Sequence, residues 1–187
     1  MFERYTDDAK RAIFYARTEA LFRKESVIST KDILLGLTRE EKSRANQIGA
    51  LKAHAVDLRS SFGIAPLPQR LDRSLLESKT EIPLDGDAKK TLAYAAKEAD
   101  FEREFWIDSD HLLRGLLRFP NAAADALSKI DVGLESARAK SIRNREEVPP
   151  APVPRRSKLK AALKKYRWRL LLIAVLMMIF LYLKQQG

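Results

Sequence analysis

The chain has 187 residues, room for one ordinary domain and an appendage, and no cysteine, which excludes disulfides, a thiol nucleophile and Cys-ligated zinc and fits a reducing compartment. Its net charge of +10 sits in the tail: from Arg138 onward there are 13 Lys+Arg against 2 Asp+Glu, so residues 1–137 carry a net −1. A nucleic-acid-binding domain carries its basic face on the folded part, so this distribution speaks against a nucleic-acid partner.

Met1 to Asp8 has no apolar stretch after a basic start and does not read as a signal peptide. From Thr6 to about Lys24, Ala9, Ala12, Ile13, Ala16 and Ala20 recur at helical intervals on one face, behind a Thr6-Asp7-Asp8 cap. Ser29-Thr30-Lys31-Asp32-Ile33-Leu34-Leu35-Gly36-Leu37 then opens a second helix, to about Glu40. Thr30 is placed to accept from a free first-turn N–H, and Asp32 puts negative charge at the positive end of the dipole. Gly36 costs a helix roughly 1 kcal/mol and predicts that another backbone comes close. A third helix is expected over Arg44 to Lys52, with Ala45, Ile48 and Leu51 inward, and a fourth over Val56 to Phe62, stopped by Gly63. Residues 64–84 hold Pro66, Pro68 and Pro83 and read as a connector, with a short helix around Leu71 to Glu77.

The pattern then restarts 79 residues on. Asp85-Gly86-Asp87-Ala88 echoes Thr6-Asp7-Asp8-Ala9, and Tyr94, Ala95, Glu98 and Ala99 match Tyr15, Ala16, Glu19 and Ala20. Asp108-Ser109-Asp110-His111-Leu112-Leu113-Arg114-Gly115-Leu116 repeats the second helix start, with Ser109 and Asp110 as its capping and acidic residues. Asn121 to Lys129 repeats the third helix, and Val132-Gly133-Leu134 echoes Val56-Asp57-Leu58 three residues out of step, before a last helix to about Arg143. No stretch alternates with period two, so no strands are expected. Such duplication defines a fold. It is all-α: two pseudo-symmetric four-helix repeats, about 1–63 and 82–143, followed by a linker and a C-terminal transmembrane helix.

Residues 144–157 contain Pro149, Pro150, Pro152 and Pro154 and read as an extended, non-helical spacer. Residues 158–169 form a basic juxtamembrane segment, and Leu170 to Leu183 is apolar throughout apart from the Tyr182 hydroxyl. These 14 residues span roughly 21 Å as a helix, short of a hydrocarbon core of roughly 30 Å. Tyr166 and Trp168 on one flank, with Tyr182 and Lys184 on the other, suit the two interfaces, and snorkelling arginines extend the span to Tyr166–Leu183, roughly 27 Å. The reading is a single-pass membrane anchor, with the basic flank keeping the repeats cytoplasmic. The same run could instead dock on the globular part or oligomerise, which would make the chain a structural membrane subunit.

Signals of chemistry are poor. There is no phosphate-cradling Gly-rich loop, so no cofactor is expected. His54 reads as a surface or partly buried histidine, and His111 as a local hydrogen-bonding residue in a capped first turn. Glu40-Glu41 and Glu146-Glu147 point about 100° apart on a helix and make poor acid–base pairs, and Ser60-Ser61 lacks a base. With two histidines and no cysteine no metal site is expected, and the chain does not read as an enzyme.

Phe2-Glu3-Arg4-Tyr5-Thr6, Ala9-Lys10-Arg11-Ala12-Ile13, Ala16, Glu19-Ala20, Ile28-Ser29-Thr30 and Ile33 to Glu40, with the second copy at Ile107 to Arg118, resemble the N-terminal repeat domain (Clp R domain) of Clp-type AAA+ unfoldases. The resemblance covers about Met1 to Arg143. It implies a pseudo-twofold bundle that binds unfolded clients, adaptors or a Clp partner and presents substrates to an ATPase ring. Here a spacer and an apparent anchor follow in place of the ATPase modules, which implies a free-standing, membrane-tethered recognition domain without unfoldase activity. Some family members bind phosphorylated arginine through an acidic residue in each Thr-Glu-His helix start. Those positions are Lys31 and Asp110 here, with Asp32 and His111 following. The contact regions this implies are the groove between repeats and the two helix starts, Thr30, Lys31, Asp32 and Ser109, Asp110, His111. Any remaining charged-ligand site falls at Ser109-Asp110-His111.

Overall fold

The computed structural model describes residues 2–65 and 81–146, with side chains up to residue 141. Thr6 Oγ1 accepts from the Ala9 N–H at 3.3 Å and opens α1, Asp7–Phe22, whose first turn carries Asp7 and Asp8. Helices α2 (Thr30–Arg39), α3 (Arg44–Gly49) and α4 (Ala55–Ser61) follow. Asp85 then repeats the capping move, accepting from the Ala88 N–H at 2.6 Å to open α5, Gly86–Phe101. Helices α6 (Ser109–Leu117), α7 (Ala122–Ser128) and α8 (Leu134–Glu146) complete the second set.

An offset of 79 relates the sets in space as well as in sequence. It carries the start of α1 onto that of α5, α2 onto α6, and α4 onto α8 (Ala55 to Leu134). The expected three-residue slip in the last helix is therefore corrected. Val132 precedes α8 and packs as a buried loop residue, so the resemblance of Val132-Gly133-Leu134 to Val56-Asp57-Leu58 does not set the register. A second correction concerns the spacer. Helix α8 continues to Glu146, through residues expected to be non-helical, because the pre-proline restriction falls on Val148, before Pro149. The expected helix at Leu71–Glu77 and the anchor residues Tyr166, Trp168, Leu170, Leu183 and Lys184 lie outside the described residues. Among the described residues no helix is long and apolar enough to cross a membrane.

The two glycines fix how each pair of long helices meets. A Cβ at Gly36 would stand 2.2 Å from the Ala12 carbonyl oxygen and 2.7 Å from the Ala16 nitrogen. A Cβ at Gly115 would stand 2.5 Å from the Thr91 oxygen and 3.0 Å from the Ala95 nitrogen, at the 79-residue equivalents. Ala9, Ala12, Ala16 and Ala20 on α1, with Ala88, Ala95 and Ala99 on α5, are fully buried along these seams. Ile33, Leu34 and Leu37 of α2 meet Leu112, Leu113 and Leu116 of α6 in the common core, and α6 also packs on α3, α7 and α8.

The expectation of no strands holds among the described residues, but two isolated parallel bridges join the repeats. Tyr5, leading into α1, pairs with Ile107, leading into α6: Thr6 N–H donates to the Ile107 carbonyl at 3.0 Å and Ile107 N–H to the Arg4 carbonyl at 2.7 Å. Leu84, leading into α5, pairs with Ile28, leading into α2: Asp85 N–H donates to Ile28 at 2.9 Å and Ile28 N–H to Pro83 at 2.8 Å. Each repeat supplies a lead-in that the other repeat hydrogen-bonds.

Candidate functional site: two helix starts and a surface loop

The helix starts are capped one residue earlier than the sequence suggests. Ser29 and Asp108, both extended, are the N-caps; Thr30 and Ser109 are already helical. The capping box explains the shift, because the residue that reaches back must stand three beyond the cap, and Asp32 and His111 do. Asp32 Oδ2 accepts from the Ser29 N–H at 2.8 Å and from the Ser29 hydroxyl at 2.7 Å, while its other oxygen pairs with Arg23. In the second copy His111 Nδ1 accepts from the Asp108 N–H at 2.8 Å. That bond requires a bare Nδ1, so the proton sits on Nε2, which donates to Glu102 at 3.0 Å. Arg23 and Glu102 are equivalent by the offset, as are Asp32 and His111, so the same side-chain geometry is built with a reversed charge at the first position and a neutral ring in place of a carboxylate at the second.

Asp110 is fully buried: Oδ1 accepts from the His111 N–H at 3.0 Å, and Oδ2 accepts from Arg114 at 3.3 Å and from the Ser141 hydroxyl at 2.5 Å. Ser109 Oγ accepts from the Ala45 N–H at 3.2 Å, tying α6 to α3. Of the six residues singled out at the helix starts, Thr30, Asp32, Ser109, Asp110 and His111 are buried, and Lys31 is half-buried. The fold brings them together as two structural caps facing the interior. His54 is a surface residue at the N-cap of α4, with Nδ1 3.7 Å from Asp57.

Behind each start lies a buried glutamate between two arginines. Arg59 Nη1 donates to both Glu19 oxygens at 2.9 Å, and Arg39 Nη1 stands 3.7 Å from Oε1. At the equivalent positions Arg138 reaches Glu98 at 2.7 and 3.1 Å and Arg118 reaches it at 3.1 Å. Each outer arginine lies over a tyrosine ring, Arg39 on Tyr15 at 4.6 Å and Arg118 on Tyr94 at 5.5 Å. The second copy adds Arg114, which pairs with Glu102 and Asp110. Burial alone would lower the Arg114 pKa, but the Glu102 hydrogen bond and the charges of Asp110, Glu102 and Glu98 raise it above the ordinary value. In the first copy burial wins. It holds Arg39 below its ordinary value, opposed by Glu19 and Tyr15 and reinforced by Arg59. Sequence reading missed these clusters, although their signal was present: a glutamate on the Ala-rich face at the same place in both helices.

It also missed the α5–α6 loop. Phe101 is 78% and Phe105 56% exposed, and Trp106 packs edge-on against Phe105 with centroids 5.1 Å apart. Arg4 braces the loop, donating from Nε to the Phe105 carbonyl at 3.0 Å and reaching Asp100 at 2.6 Å. Arg4, Asp100, Arg103, Glu104 and Phe105 line an open depression there. Arg103 holds φ +58°, the left-handed turn that presents the loop outward. The equivalent α1–α2 loop has Ser26 and Val27 where this one has Phe105 and Trp106. The cluster Phe101-Glu102-Arg103-Glu104-Phe105-Trp106, three aromatic residues crowded into the end of α5 and the turn after it, was the available signal. Among the described residues no group of three or more His, Asp or Glu is arranged to hold a metal ion.

No protein-family model matches the sequence. Over 143 residues, 76% of the chain, it is 33% identical to the ATP-dependent Clp protease ATP-binding subunit ClpA homolog of Porphyra purpurea, and over 144 residues it is 31% identical to the chloroplastic chaperone protein ClpC1 of Oryza sativa subsp. japonica. The match takes in 17% and 15% of those proteins, so the chain spans about a sixth of the length of the curated relatives it matches. In fold it is similar to the N-terminal domain of the Clp-associated chaperone ClpD from Arabidopsis thaliana, with TM-score 0.59 and 19% identity over 78% of this chain and 97% of that one. It is also similar to the Hsp104 N-terminal domain from Candida albicans, with TM-score 0.56 and 16% identity over 76% and 92% of the two chains. Relatedness to ClpA and ClpC in sequence, and an all-helical fold shared with the ClpD and Hsp104 N-terminal domains, show that this chain carries a Clp N-terminal domain.

Proposed function

We propose that the domain is a non-catalytic protein-interaction module that takes up client segments or adaptor proteins, with the α5–α6 loop as its contact surface. The observation that carries this reading is the exposed pair Phe101 and Phe105, backed by Trp106 and braced by Arg4 on a fold of the Clp N-terminal type. Exposed aromatic groups beside charged side chains are what an interface anchor requires. At the helix starts named from the sequence, Asp32, Ser109, Asp110 and His111 make structural bonds, which supports choosing the loop as the contact region.

The test is capture of a permanently unfolded protein, reduced and carboxymethylated, by the full chain in detergent. A Phe101→Ser/Phe105→Ser double variant is expected to lose about tenfold in affinity, since each ring would otherwise bury its apolar surface on the partner. Its thermal midpoint stays that of the parent, because both rings are already exposed. Undiminished capture by the folded variant would sink the assignment of this surface.

The second part of the proposal is that Leu170 to Leu183, flanked by Tyr166, Trp168 and Lys184, holds the domain at the cytoplasmic face of a membrane. Its support is the uncharged run and the basic segment preceding it, which would add about 1 kcal/mol per residue on anionic headgroups. Carbonate extraction is expected to leave the chain in the membrane fraction, and its release intact into the soluble fraction would refute the anchor.

A further inference from the structure

The first repeat contains a buried cationic cluster that its own side chains do not neutralise. Arg39 and Arg59 face a single carboxylate, Glu19. Arg59 is 7% exposed; its Nε donates to the Ala65 carbonyl at 3.0 Å and its Nη1 to Glu19. Among the described residues, Arg59 Nη2 and Arg39 Nη1 are buried and find no hydrogen-bond acceptor. A buried charged donor without a partner costs more than the hydrogen bond it lacks, so a fold retains one where something else supplies the acceptor.

The second repeat is the internal control. Its equivalent pair, Arg118 and Arg138, shares Glu98, but Arg138 also bonds Glu135 at 3.0 Å, and among the described residues of this repeat no side-chain nitrogen is left buried without a partner. The equivalent of Glu135 is Val56, an apolar residue 65% exposed on α4. The first repeat thus keeps both arginines and lacks an acid that the second supplies. Arg39 forms the outer wall: its side chain is one-fifth exposed and its guanidinium carbon stands over the Tyr15 ring, 4.6 Å from the centroid.

We propose that Arg39 and Arg59 form a binding site for a single oxyanion, a phosphate or a carboxylate. The ligand enters past the exposed edge of Arg39 as that side chain slides on the Tyr15 ring. It then accepts from Arg39 Nη1 and Arg59 Nη2, while Glu19 keeps Arg59 Nη1. Planar guanidiniums suit an oxyanion because two donors can meet two oxygens. The site is independent of the client-binding loop on α5–α6, and either can fail without the other.

The experiment follows the thermal midpoint of the full chain in detergent with inorganic phosphate, acetate or chloride at equal ionic strength. Phosphate, acetate or both are expected to raise the midpoint above the chloride value. The responsive one names the source, free or phosphoryl phosphate in one case and a carboxylate in the other. Val56→Glu, which installs the missing acid at an exposed position, is expected to weaken the response about tenfold, as is Arg39→Gln. If Arg39→Gln does not fold, Val56→Glu decides alone. A parent that responds to neither oxyanion beyond chloride overturns the proposal, and so does a folded Val56→Glu that responds as the parent does.

Discussion

The two repeats share a backbone and differ in where they put charge. At the helix starts, Arg23 and Asp32 in one copy stand where Glu102 and His111 stand in the other, and both pairs close the same capping box. Deeper in, each copy holds one glutamate between two arginines, but the second adds Arg114, Glu102, Asp110 and Glu135 and compensates its charges internally. The difference teaches that this fold demands a hydrogen-bonding geometry at each position and leaves its sign open. The first copy emerges with buried positive charge to spare, the second with an aromatic surface loop.

Breaking the buried glutamates gives the largest expected effect. Glu19→Gln leaves two buried guanidiniums without a counter-charge and should cost about 4 kcal/mol, whereas Glu98→Gln should cost about half of that, because Arg138 keeps Glu135. Urea midpoints of the two variants decide it, and equal losses would show that the second cluster's extra acids contribute nothing. Next come the glycines. Gly36→Ala forces a Cβ onto the Ala12 carbonyl and should cost about 3 kcal/mol even after the gain in helix propensity. Gly115→Ala, with slightly more room, should cost about 2 kcal/mol, and a thermal melt that ranks them the other way would contradict the seam geometry.

The caps should differ less. Asp108 accepts from the Ser109 N–H at 2.6 Å and the Thr6 hydroxyl at 2.9 Å, so Asp108→Ala is expected to cost about 2 kcal/mol against about 1 for Ser29→Ala, read from denaturant curves. The smallest effect is alkaline. Burial pushes the Tyr5 phenol above its ordinary 10.0, with Arg4 pulling the other way. Unfolding lets Tyr5 ionise near pH 10.0, so its contribution is present below that pH and lost as pH rises through the folded value. Its equivalent, Leu84, has nothing to ionise. Tyr5→Phe should therefore flatten the fall of the thermal midpoint between pH 9 and 11, and an unchanged slope would remove Tyr5 from the account.

Much of this fold was legible because its signals are local. The duplicated helix starts, the Ala stripes and the close approach at Gly36 and Gly115 follow from spacing and from what a glycine costs. The shift of the caps to Ser29 and Asp108 was not legible, since Thr30 and Ser109 offer the same chemistry one residue later and only the reach of Asp32 and His111 chooses between them. The burial of Asp110 and His111 was hidden for a different reason. The partners of Asp110, Arg114 and Ser141, lie on two helices, and that of His111, Glu102, closes the helix before; a polar residue in a first turn looks the same in sequence whether it faces water or a buried charge. The exposed loop at Phe101 to Trp106 escaped because aromatic residues are ordinarily assigned to a core.

The crossed lead-ins also set an order of events for the growing chain. Tyr5 is among the first residues made, yet its bridge to Ile107 needs about a hundred further residues. Until then the amide of Thr6 and the carbonyl of Arg4 bond to water. The first half can form helices early but cannot finish its own edge. The two copies are one cooperative object, and a cut between them should yield two fragments that recover their structure only when mixed.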